Sequence, residues 1–396
     1  MKSWVEVSER RLTENYRLLT EAAGDTAVLA VVKANAYGHG AAVCAPVLVR
    51  AGAEWLGVTD VAEGAAVRAA LEAAGIARRE QPGILVMSGL LREDAEEVVR
   101  LGLVPVVWLR EQMEWLAEAA GRLGMGPVAV HVEIDTGMTR QGVPVWVELE
   151  ELVEWLRGEP GIRVDGVMTH FASSEVAGSL QTATQRGRFT RAIQIFAGMG
   201  FRPGWVHAGN SSTIDNEGRR NVAWLRRVAG IVGARSMVRA GIALYGYCLP
   251  IEGEGLSEVR QGLQPVMTWK TRVIGLREVE AGETVGYNGI YCVPQAMRLA
   301  LLPVGYADGL RRELSASNAR AGGWAMVRGQ RAPIVGRVSM NLTIVDVSEI
   351  EGVVMGDEVV VLGDGVTAED HARLAGTIAY EIVCGVQTAH RCGIAG

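Results

Sequence analysis

The stretch TAVLAVV at residues 26–32 is a short apolar run, and a helical pattern follows it around 41–51. The same succession then repeats, with WLGVTD at 55–60 typical of a strand and EGAAVRAALEAAG at 63–75 typical of a helix. Short strands that alternate with longer amphipathic helices indicate a parallel sheet covered by helices. This stretch therefore predicts an α/β domain.

The alternation continues through the first two-thirds of the chain. The further predicted strands are GILVMSG (83–89), VPVVW (104–108), PVAVHVEID (127–135), VDGVMTHF (164–171), WVHAGN (205–210) and SMVRAGIALYG (236–246). About eight units in ~240 residues favour a (β/α)8 TIM-type barrel. Periodicity alone leaves a doubly wound open sheet as an alternative, although no glycine-rich dinucleotide fingerprint follows the first strand.

The pattern changes in a polar stretch at 247–265 that is rich in glycine and proline and is typical of a linker. Short β-type segments with glycine-containing turns follow it, and one helix is predicted at EDHARLAGTIAYEI, residues 369–382. We therefore predict a barrel domain at 12–250 and a mainly-β domain at 251–396. Residues 1–11 are expected to join the second domain.

Composition excludes several classes of function. The net charge is −6, and no block of Lys or Arg suggests a nucleic-acid partner. No apolar run approaches the ~20 residues that cross a bilayer. The charged N-terminal segment does not resemble a signal peptide, so a cytoplasmic location is expected. The five cysteines are scattered and form no Cys-x-x-Cys pair, which argues against a disulfide framework and against a metal site.

One lysine stands out in the segment VVKANAYGHG, residues 31–40. Lys33 directly follows an apolar strand, and catalytic groups of a (β/α)8 barrel gather where the strands end. Burial lowers the pKa of a lysine and makes its amine a nucleophile for Schiff-base chemistry. Taken alone, Lys33 is better explained as a lysine whose ammonium reaches solvent.

The segment VVKANAYGHG resembles the pyridoxal-phosphate attachment segment of the alanine racemase family. Seven more segments resemble that family in the same order and spacing. They are DTGMTRQG (135–142), MTHFA (168–172), HAGNSS (207–212), VRAGIALYG (238–246), VGYNGIY (285–291), VGYADG (304–309) and APIVGRVSMNLTIVDV (332–347). The resemblance covers nearly the whole chain and implies a racemase that supplies D-alanine for peptidoglycan.

The resemblance also implies which residues hold pyridoxal phosphate. Lys33 would bind it covalently, and Arg239 would face its pyridine nitrogen. An arginine is effectively never deprotonated, so it would keep that nitrogen unprotonated and limit side reactions. The implied cofactor-binding residues are Lys33, Tyr37, Ser211, Arg239, Gly241 and Ile242.

Racemisation needs a proton removed from one face of Cα and one returned to the other. The resemblance implies Lys33 as one base and Tyr287, from the second subunit of a homodimer, as the other. His170 would bond to Tyr287 and contact Arg239, whose charge favours the phenolate. The implied catalytic set is Lys33, Tyr287, His170 and Arg239.

The substrate would be a small amino acid. Arg140 would hold an oxygen of the cofactor or the substrate carboxylate, and the Met340 backbone N–H would bind that carboxylate. Tyr306 would lie at the entrance and, with Tyr287 and Met340, would leave room for little beyond a methyl group. Taken singly, Arg140 and Arg239 resemble surface cations and His170 a structural histidine. Their joint match to one family favours the functional interpretation.

Three positions depart from the family. Glu133 stands where many members have a carbamylated lysine, and we expect it to pair with Arg140 and to make activity independent of bicarbonate. Asn341 replaces an aspartate. Thr388 stands where the family often has a phosphate-binding tyrosine.

Four functions other than alanine racemase are alternatives for this chain. A serine or broad-specificity racemase shares every catalytic residue and differs only in the width of the pocket. A barrel-fold decarboxylase of basic amino acids has different motifs. A non-catalytic cofactor carrier lacks a β domain, and a purely structural dimer module leaves Lys33 unexplained.

Overall fold

A computed structural model of the chain describes residues 1–215, 220–252 and 258–395. The contacts divide these residues into two compact units. The first unit contains Met1–Arg10, Tyr37–Val43 and Pro265–Gly396, and the second contains Arg11–Ala36 and Cys44–Gln264. Part of the predicted linker, residues 253–257, lies outside the described residues. The predicted domain boundaries stay a prediction.

The second unit is built on a closed parallel barrel. The strands described in residues 1–240 are β1 Ser3–Ser8, β2 Ala27–Val31, β3 Trp55–Val58, β4 Gly83–Val86, β5 Val104–Val107, β6 Val128–Asp135, β7 Val143–Pro144, β8 Ile162–Met168, β9 Trp205–His207 and β10 Arg235–Ala240. Neighbours follow the order β5-β4-β3-β2-β10-β9-β8-β6, and β5 pairs with β6 to close the ring. The predicted (β/α)8 barrel is confirmed, and the open sheet is excluded.

Helices connect successive barrel strands. In the described part of the unit's chain they are Glu9–Ala23, Ala41–Arg50, Val61–Ala73, Ala95–Leu101, Arg110–Leu123, Val147–Arg157, Leu180–Gly198, Ser211–Asp215, Arg220–Gly230 and Glu258–Gly262. Local sequence determines where several of them begin and end. The Asp60 side chain caps Val61–Ala73 by accepting from the Glu63 N–H. Gly102 and Gly124 end their helices in the left-handed conformation that glycine adopts without penalty.

The barrel interior combines an apolar core with polar groups near the carboxyl ends of the strands. Leu29, Leu56 and Leu85 are fully buried on three successive strands. A glycine makes room for a larger ring, because a Cβ on Gly166 would lie 2.6 Å from the ring of His131. Arrays of this kind place functional side chains where parallel strands end.

The first unit is mainly β, as predicted. Its strands are β1 and, later in the chain, β11 Met267–Arg272, β12 Gly275–Val279, β13 Thr284–Val285, β14 Tyr291–Cys292, β15 Met297–Leu302, β16 Trp324–Val327, β17 Gln330–Pro333, β18 Thr343–Asp346, β19 Glu358–Leu362 and β20 Arg391–Ile394. One sheet has the order β17-β16-β19-β11-β1-β20, a second has β12-β15-β18, and β13 pairs with β14. Strand β1 runs antiparallel to β11 and parallel to β20.

The predicted single helix at 369–382 is wrong in one respect. The structure has two helices there, Ala368–Ala375 and Ala379–Cys384. Gly376 ends the first in a left-handed conformation with φ of 70°, which is the usual way for a glycine to stop a helix. Among the described residues, no helix is both long enough and apolar enough to span a membrane.

Candidate active site

The predicted cofactor lysine lies at the carboxyl end of a barrel strand. Lys33 follows β2 by two residues and is half-buried. The next residues, Ala34, Asn35 and Ala36, have φ of 50°, 53° and 56°. An L-residue in this left-handed conformation costs about 1–2 kcal/mol. Strained backbone of this kind persists where surrounding contacts hold it, and it is frequent at functional sites.

A buried guanidinium lies on β10. Arg239 is 4% exposed, and burial lowers its pKa to about 10, so it remains a cation at neutral pH. Its Nη2 donates to the Thr169 carbonyl at 2.9 Å and to His170 Nδ1 at 2.9 Å, and its Nη1 donates to His207 Nδ1 at 3.1 Å. Within the described residues, Nε–H and one Nη1–H of Arg239 are left for a ligand.

These contacts determine the tautomer of His170. A guanidinium can only donate, so His170 Nδ1 accepts and the ring proton is on Nε2. Burial lowers the pKa of His170 well below its usual value, and the charges of Arg239, Arg140 and Lys33 lower it further. His170 is therefore a neutral donor at Nε2, suited to bind an oxyanion.

Sequence reasoning missed a chain of polar side chains behind Arg239. Because His207 Nδ1 accepts from Arg239, its Nε2–H donates to His131 Nδ1 at 2.8 Å. His131 Nε2 then faces Asp165 Oδ2 at 3.8 Å. Burial lowers the pKa of both histidines, so a neutral His207 accepts from the guanidinium and a neutral His131 accepts from His207. The signal was present, because His131 lies on a strand predicted at 127–135 and His207 opens the segment HAGNSS, but neither had a partner in sequence.

A hydroxyl and two backbone amides meet at the end of β10. Ser211 Oγ accepts from the Gly241 N–H at 3.0 Å and from the Ala243 N–H at 3.4 Å, and Ser211 is buried. The predicted Ile242 lies between these amides and is also buried. Two of the three predicted phosphate-binding groups of this unit, Ser211 and Gly241, are thus in direct contact, and N–H groups with a hydroxyl suit an anion.

The expected ion pair between Glu133 and Arg140 is wrong. In the described part of the chain, Glu133 accepts a hydrogen bond from Gln141 Nε2 at 2.5 Å and makes no ion pair with Arg140. The reason is the turn between them, in which Asp135 Oδ1 accepts from the N–H groups of residues 137, 138 and 139. This turn brings Gln141, and not Arg140, to the buried carboxylate.

The predicted residues of the first unit lie in its exposed loops. Tyr287 is 68% exposed and Met340 is 56% exposed. The Met340 carbonyl accepts from the Ala307 N–H at 2.9 Å. Asn341 Nδ2 donates to Asp308 Oδ2 at 3.3 Å, so the amide that replaces the family's acid contacts a carboxylate.

Tyr37 and Thr388, the two other positions of this unit considered for phosphate binding, make different contacts. Burial raises the pKa of Tyr37, with a smaller effect from Cys384, so Tyr37 stays a phenol and can donate a hydrogen bond. Its ring meets that of Tyr380 edge-on at 6.3 Å between centroids. Thr388 Oγ1 donates to the Ser3 carbonyl at 3.0 Å, which gives that side chain a structural contact.

Comparison with known proteins agrees with this geometry over both units. Residues 7–249 match the family of the alanine racemase N-terminal domain, and residues 266–392 match that of the alanine racemase C-terminal domain. The chain belongs to the alanine racemase family.

Relatives within the alanine racemase family match over nearly full length. An alanine racemase of Syntrophobacter fumaroxidans is 36% identical over 389 residues, which cover 97% of this chain and 95% of that protein. The solved alanine racemase of Streptomyces coelicolor superposes with a TM-score of 0.87 at 32% identity. The match covers 100% of this chain and 98% of the Streptomyces chain. The alanine racemase of Bartonella henselae, solved with covalently bound pyridoxal phosphate, has a TM-score of 0.79 at 26% identity, with complete coverage of both chains.

The residues at the barrel mouth fit pyridoxal phosphate, the cofactor of the alanine racemase family. Lys33 offers an amine, Arg239 offers unused donors toward a ring nitrogen, and Ser211 lies with amides that suit a phosphate. Three cations, Lys33, Arg140 and Arg239, all act on the same His170. Their excess positive charge favours an anionic ligand. The described residues contain no cluster that could hold a metal ion.

The contact between Gln141 and Glu133 yields a testable prediction. Burial raises the pKa of Glu133, while the bond from Gln141 and the charges of Arg239 and Arg140 lower it. Gln141→Met removes the donor and keeps the size, so the pKa of Glu133 rises further. A hydrogen bond to a charged group contributes about 1.5–3 kcal/mol. We therefore expect the acid limb of the plot of kcat/KM against pH to lie at higher pH in Gln141→Met than in the unmodified chain.

The raised pKa of Glu133 also makes the free energy of unfolding depend on pH. A carboxyl whose pKa is raised by folding holds its proton more tightly when folded, so its contribution to the free energy of unfolding falls as pH rises above its usual pKa. Gln141→Met should increase the total size of this fall. The difference between the melting temperatures at acidic and neutral pH measures it. Gln194→Met, at an exposed glutamine of the helix Leu180–Gly198, is the matched control. Identical pH profiles for Gln141→Met and the unmodified chain would contradict the prediction.

Proposed function

We propose that this chain interconverts L-alanine and D-alanine with pyridoxal phosphate, and that two bases act on opposite faces of Cα. The observation that carries the proposal is the bond from Arg239 to His170 Nδ1 at the barrel mouth. It provides a permanent cation and a neutral imidazole with its proton on Nε2. These groups lie with Lys33 where a parallel barrel places its chemistry.

The cofactor would be held by residues at the ends of β2, β9 and β10. Lys33 would bind it, the Ser211 hydroxyl and the Gly241 and Ile242 amides would bind its phosphate with Tyr37, and Arg239 would donate to its ring nitrogen. When bound, pyridoxal phosphate supplies an electron sink for the charge that remains when Cα loses a proton.

Proton transfer is the work of the chain's own residues. Lys33 Nζ takes or returns the proton on one face, and Tyr287 Oη of the partner subunit does so on the other. A phenol ordinarily keeps its proton at neutral pH. The His170 Nε2–H stabilises the phenolate by donating to its oxygen, and Arg239 keeps His170 in that tautomer.

The substrate carboxylate is bound by charge and by backbone. Arg140 is exposed at the end of the segment 135–142 and is free of an ion pair with Glu133. It supplies the cation, while the Met340 N–H of the partner subunit supplies a backbone donor. Tyr287, Tyr306 and Met340 then limit the space beside Cα to about a methyl group.

A homodimer with shared active sites follows from these roles. The first unit exposes large apolar side chains in the loops that carry its site residues; these are Tyr287, Tyr306, Met340 and Leu342. Burial of such groups against a second copy would both stabilise the pair and complete each site. The proposal includes neither nucleic acid nor membrane as a partner. We propose that the enzyme acts in the cytoplasm, where D-alanine is made for peptidoglycan. The cysteines of the described residues form no disulfide, which agrees with a reducing compartment.

The test is proton exchange at Cα. Cofactor-loaded protein is incubated with L-alanine, and separately with L-serine, in deuterated water, while NMR follows exchange and chiral chromatography follows inversion. Rapid exchange with full inversion of alanine and slow turnover of serine is the expected result. Comparable serine turnover would indicate a broad-specificity racemase. Exchange without inversion would contradict the role of Tyr287, and no exchange would favour a cofactor carrier.

A further inference from the structure

The backbone that follows Lys33 turns in the left-handed direction for four residues without a glycine. Ala34, Asn35 and Ala36 have φ near +50° and ψ near +50°, and Tyr37 has φ of 51°. L-residues avoid this region because Cβ approaches the next carbonyl. The turn therefore needs contacts from outside itself, and its first N–H groups need acceptors.

One carboxylate supplies those contacts. Glu63 Oε1 accepts from the Ala34 N–H at 2.6 Å and from the Asn35 N–H at 3.4 Å, and Glu63 Oε2 accepts from the Thr59 N–H at 2.8 Å. Thr59 follows β3, the strand that pairs with β2. The carboxylate thus joins the ends of two neighbouring barrel strands, directly beside the lysine.

Glu63 is itself held firmly. It lies in the first turn of the helix Val61–Ala73, and its N–H donates to Asp60 Oδ1 at 2.9 Å. In a common capping arrangement the acid at this position bonds back to the cap residue's own N–H. Here its carboxylate reaches Thr59 and the turn after Lys33.

We propose that Glu63 is a positioning residue of the racemase: it holds the left-handed turn and so aims the Lys33 amine at Cα. The inference rests on the proposed function and adds a residue that touches neither cofactor nor substrate. Both carboxylate oxygens accept from N–H groups, so an amide cannot replace Glu63 without turning one N–H toward another N–H. A misplacement of Lys33 by a fraction of an ångström slows proton transfer.

The first test compares Glu63→Gln with Glu63→Asp and with Glu72→Gln, a matched change at an exposed acid of the same helix. We expect Glu63→Gln to lower kcat about tenfold or more, with KM for alanine within about twofold, because the carboxylate-binding groups are untouched. Glu63→Asp should recover part of kcat, and Glu72→Gln should match the unmodified chain. Unchanged kcat in Glu63→Gln would overturn the proposal.

Two readouts do not depend on racemase activity. Amide hydrogen exchange of the cofactor-free protein should show faster exchange at Ala34 and Asn35 in Glu63→Gln than in the unmodified chain. The rate at which added pyridoxal phosphate attaches to Lys33, followed by the absorbance of the bound cofactor, should also fall. A chain that racemises no amino acid would refute the proposed function, whereas unchanged exchange and attachment in Glu63→Gln would refute only the role of Glu63.

The second test is rescue by glycine. Glycine adopts positive φ without the steric penalty of other residues. Adding Ala34→Gly to Glu63→Gln should therefore recover about threefold or more of the lost kcat, since one of the four left-handed residues then adopts its φ without penalty and the turn depends less on the carboxylate. Ala34→Gly alone completes the double-mutant cycle. A double variant that folds normally and is as slow as Glu63→Gln would overturn the proposal.

Discussion

Lys33→Ala is expected to lower racemisation by ~10³-fold or more, because it removes the proposed covalent attachment point and one of the two proposed bases. The chain has only three lysines, Lys2, Lys33 and Lys270. Lys2 is paired with Asp308 at 2.8 Å, and Lys270 lies 2.8 Å from Glu6 and 2.7 Å from Glu358. The two carboxylates raise the pKa of Lys270 against the effect of its partial burial, so they favour its protonated form. Lys33 is the lysine of the three that follows a barrel strand, β2, where a (β/α)8 barrel places its catalytic groups.

The measurement has two parts. Chiral chromatography of alanine gives the rate, and mass spectrometry after reductive trapping of pyridoxal phosphate locates the modified peptide. Lys270→Arg, which keeps a cation between two carboxylates, is the control and should retain both labelling and rate. Trapping at Lys2 or Lys270 in the unmodified protein would contradict the assignment of Lys33.

Tyr287→Phe is expected to lower racemisation by ~10²–10⁴-fold, because it removes the proposed acid–base group of one face. Lys33, the proposed base of the other face, would remain, so one enantiomer of alanine should continue to exchange its Cα proton in deuterated water without inverting. The loss of inversion with retained exchange of one enantiomer distinguishes a missing base from a damaged fold. Tyr291→Phe, on the neighbouring strand β14, is the control. Equal loss of exchange from both enantiomers would contradict the two-base assignment.

The two variants together test whether sites are shared between subunits. Lys33→Ala and Tyr287→Phe are each expected to be nearly inactive as pure proteins. After unfolding and refolding of an equal mixture, half of the dimers would be mixed, and each mixed dimer would hold one site with both bases. About a quarter of the unmodified activity should return. A mixture as inactive as its components would refute a site built from two subunits.

Much of the fold could be read from local pattern. Strand and helix could be distinguished from residue 26 onward because barrel strands such as β2, β3 and β4 are short continuous apolar runs that are almost wholly buried. The closure of the ring by β5 and β6 could only be predicted from the number of units, since no local signal distinguishes a closed sheet from an open one. The single helix predicted at 369–382 failed at Gly376, whose left-handed cap divides it.

Some residues of the candidate site could also be predicted from the sequence, and others could not. Lys33, Arg239 and His170 could be proposed because the segments around them resemble a family over nearly the whole chain. Glu133 was assigned to Arg140 because it stands where many family members have a carbamylated lysine, and this was wrong because Asp135 folds the intervening turn. Glu63 could not be found at all, since it lies 30 residues after Lys33 and its partners are backbone N–H groups, which leave no mark on composition.

By itself, the sequence determined the alternation of strands and helices, the mainly-β character of the later residues and the family. Those features depend on properties that each segment carries alone: apolar periodicity, glycine-containing turns and motif residues at set spacings. The contacts between separate segments became visible only in the folded chain. They include the two neutral histidines behind Arg239, the amide of Gln141 on Glu133 and the carboxylate of Glu63 beside the turn after Lys33. The physical reason is that hydrogen bonds act over about 3 Å, so a bond between distant segments exists only after the barrel has brought its strand ends together.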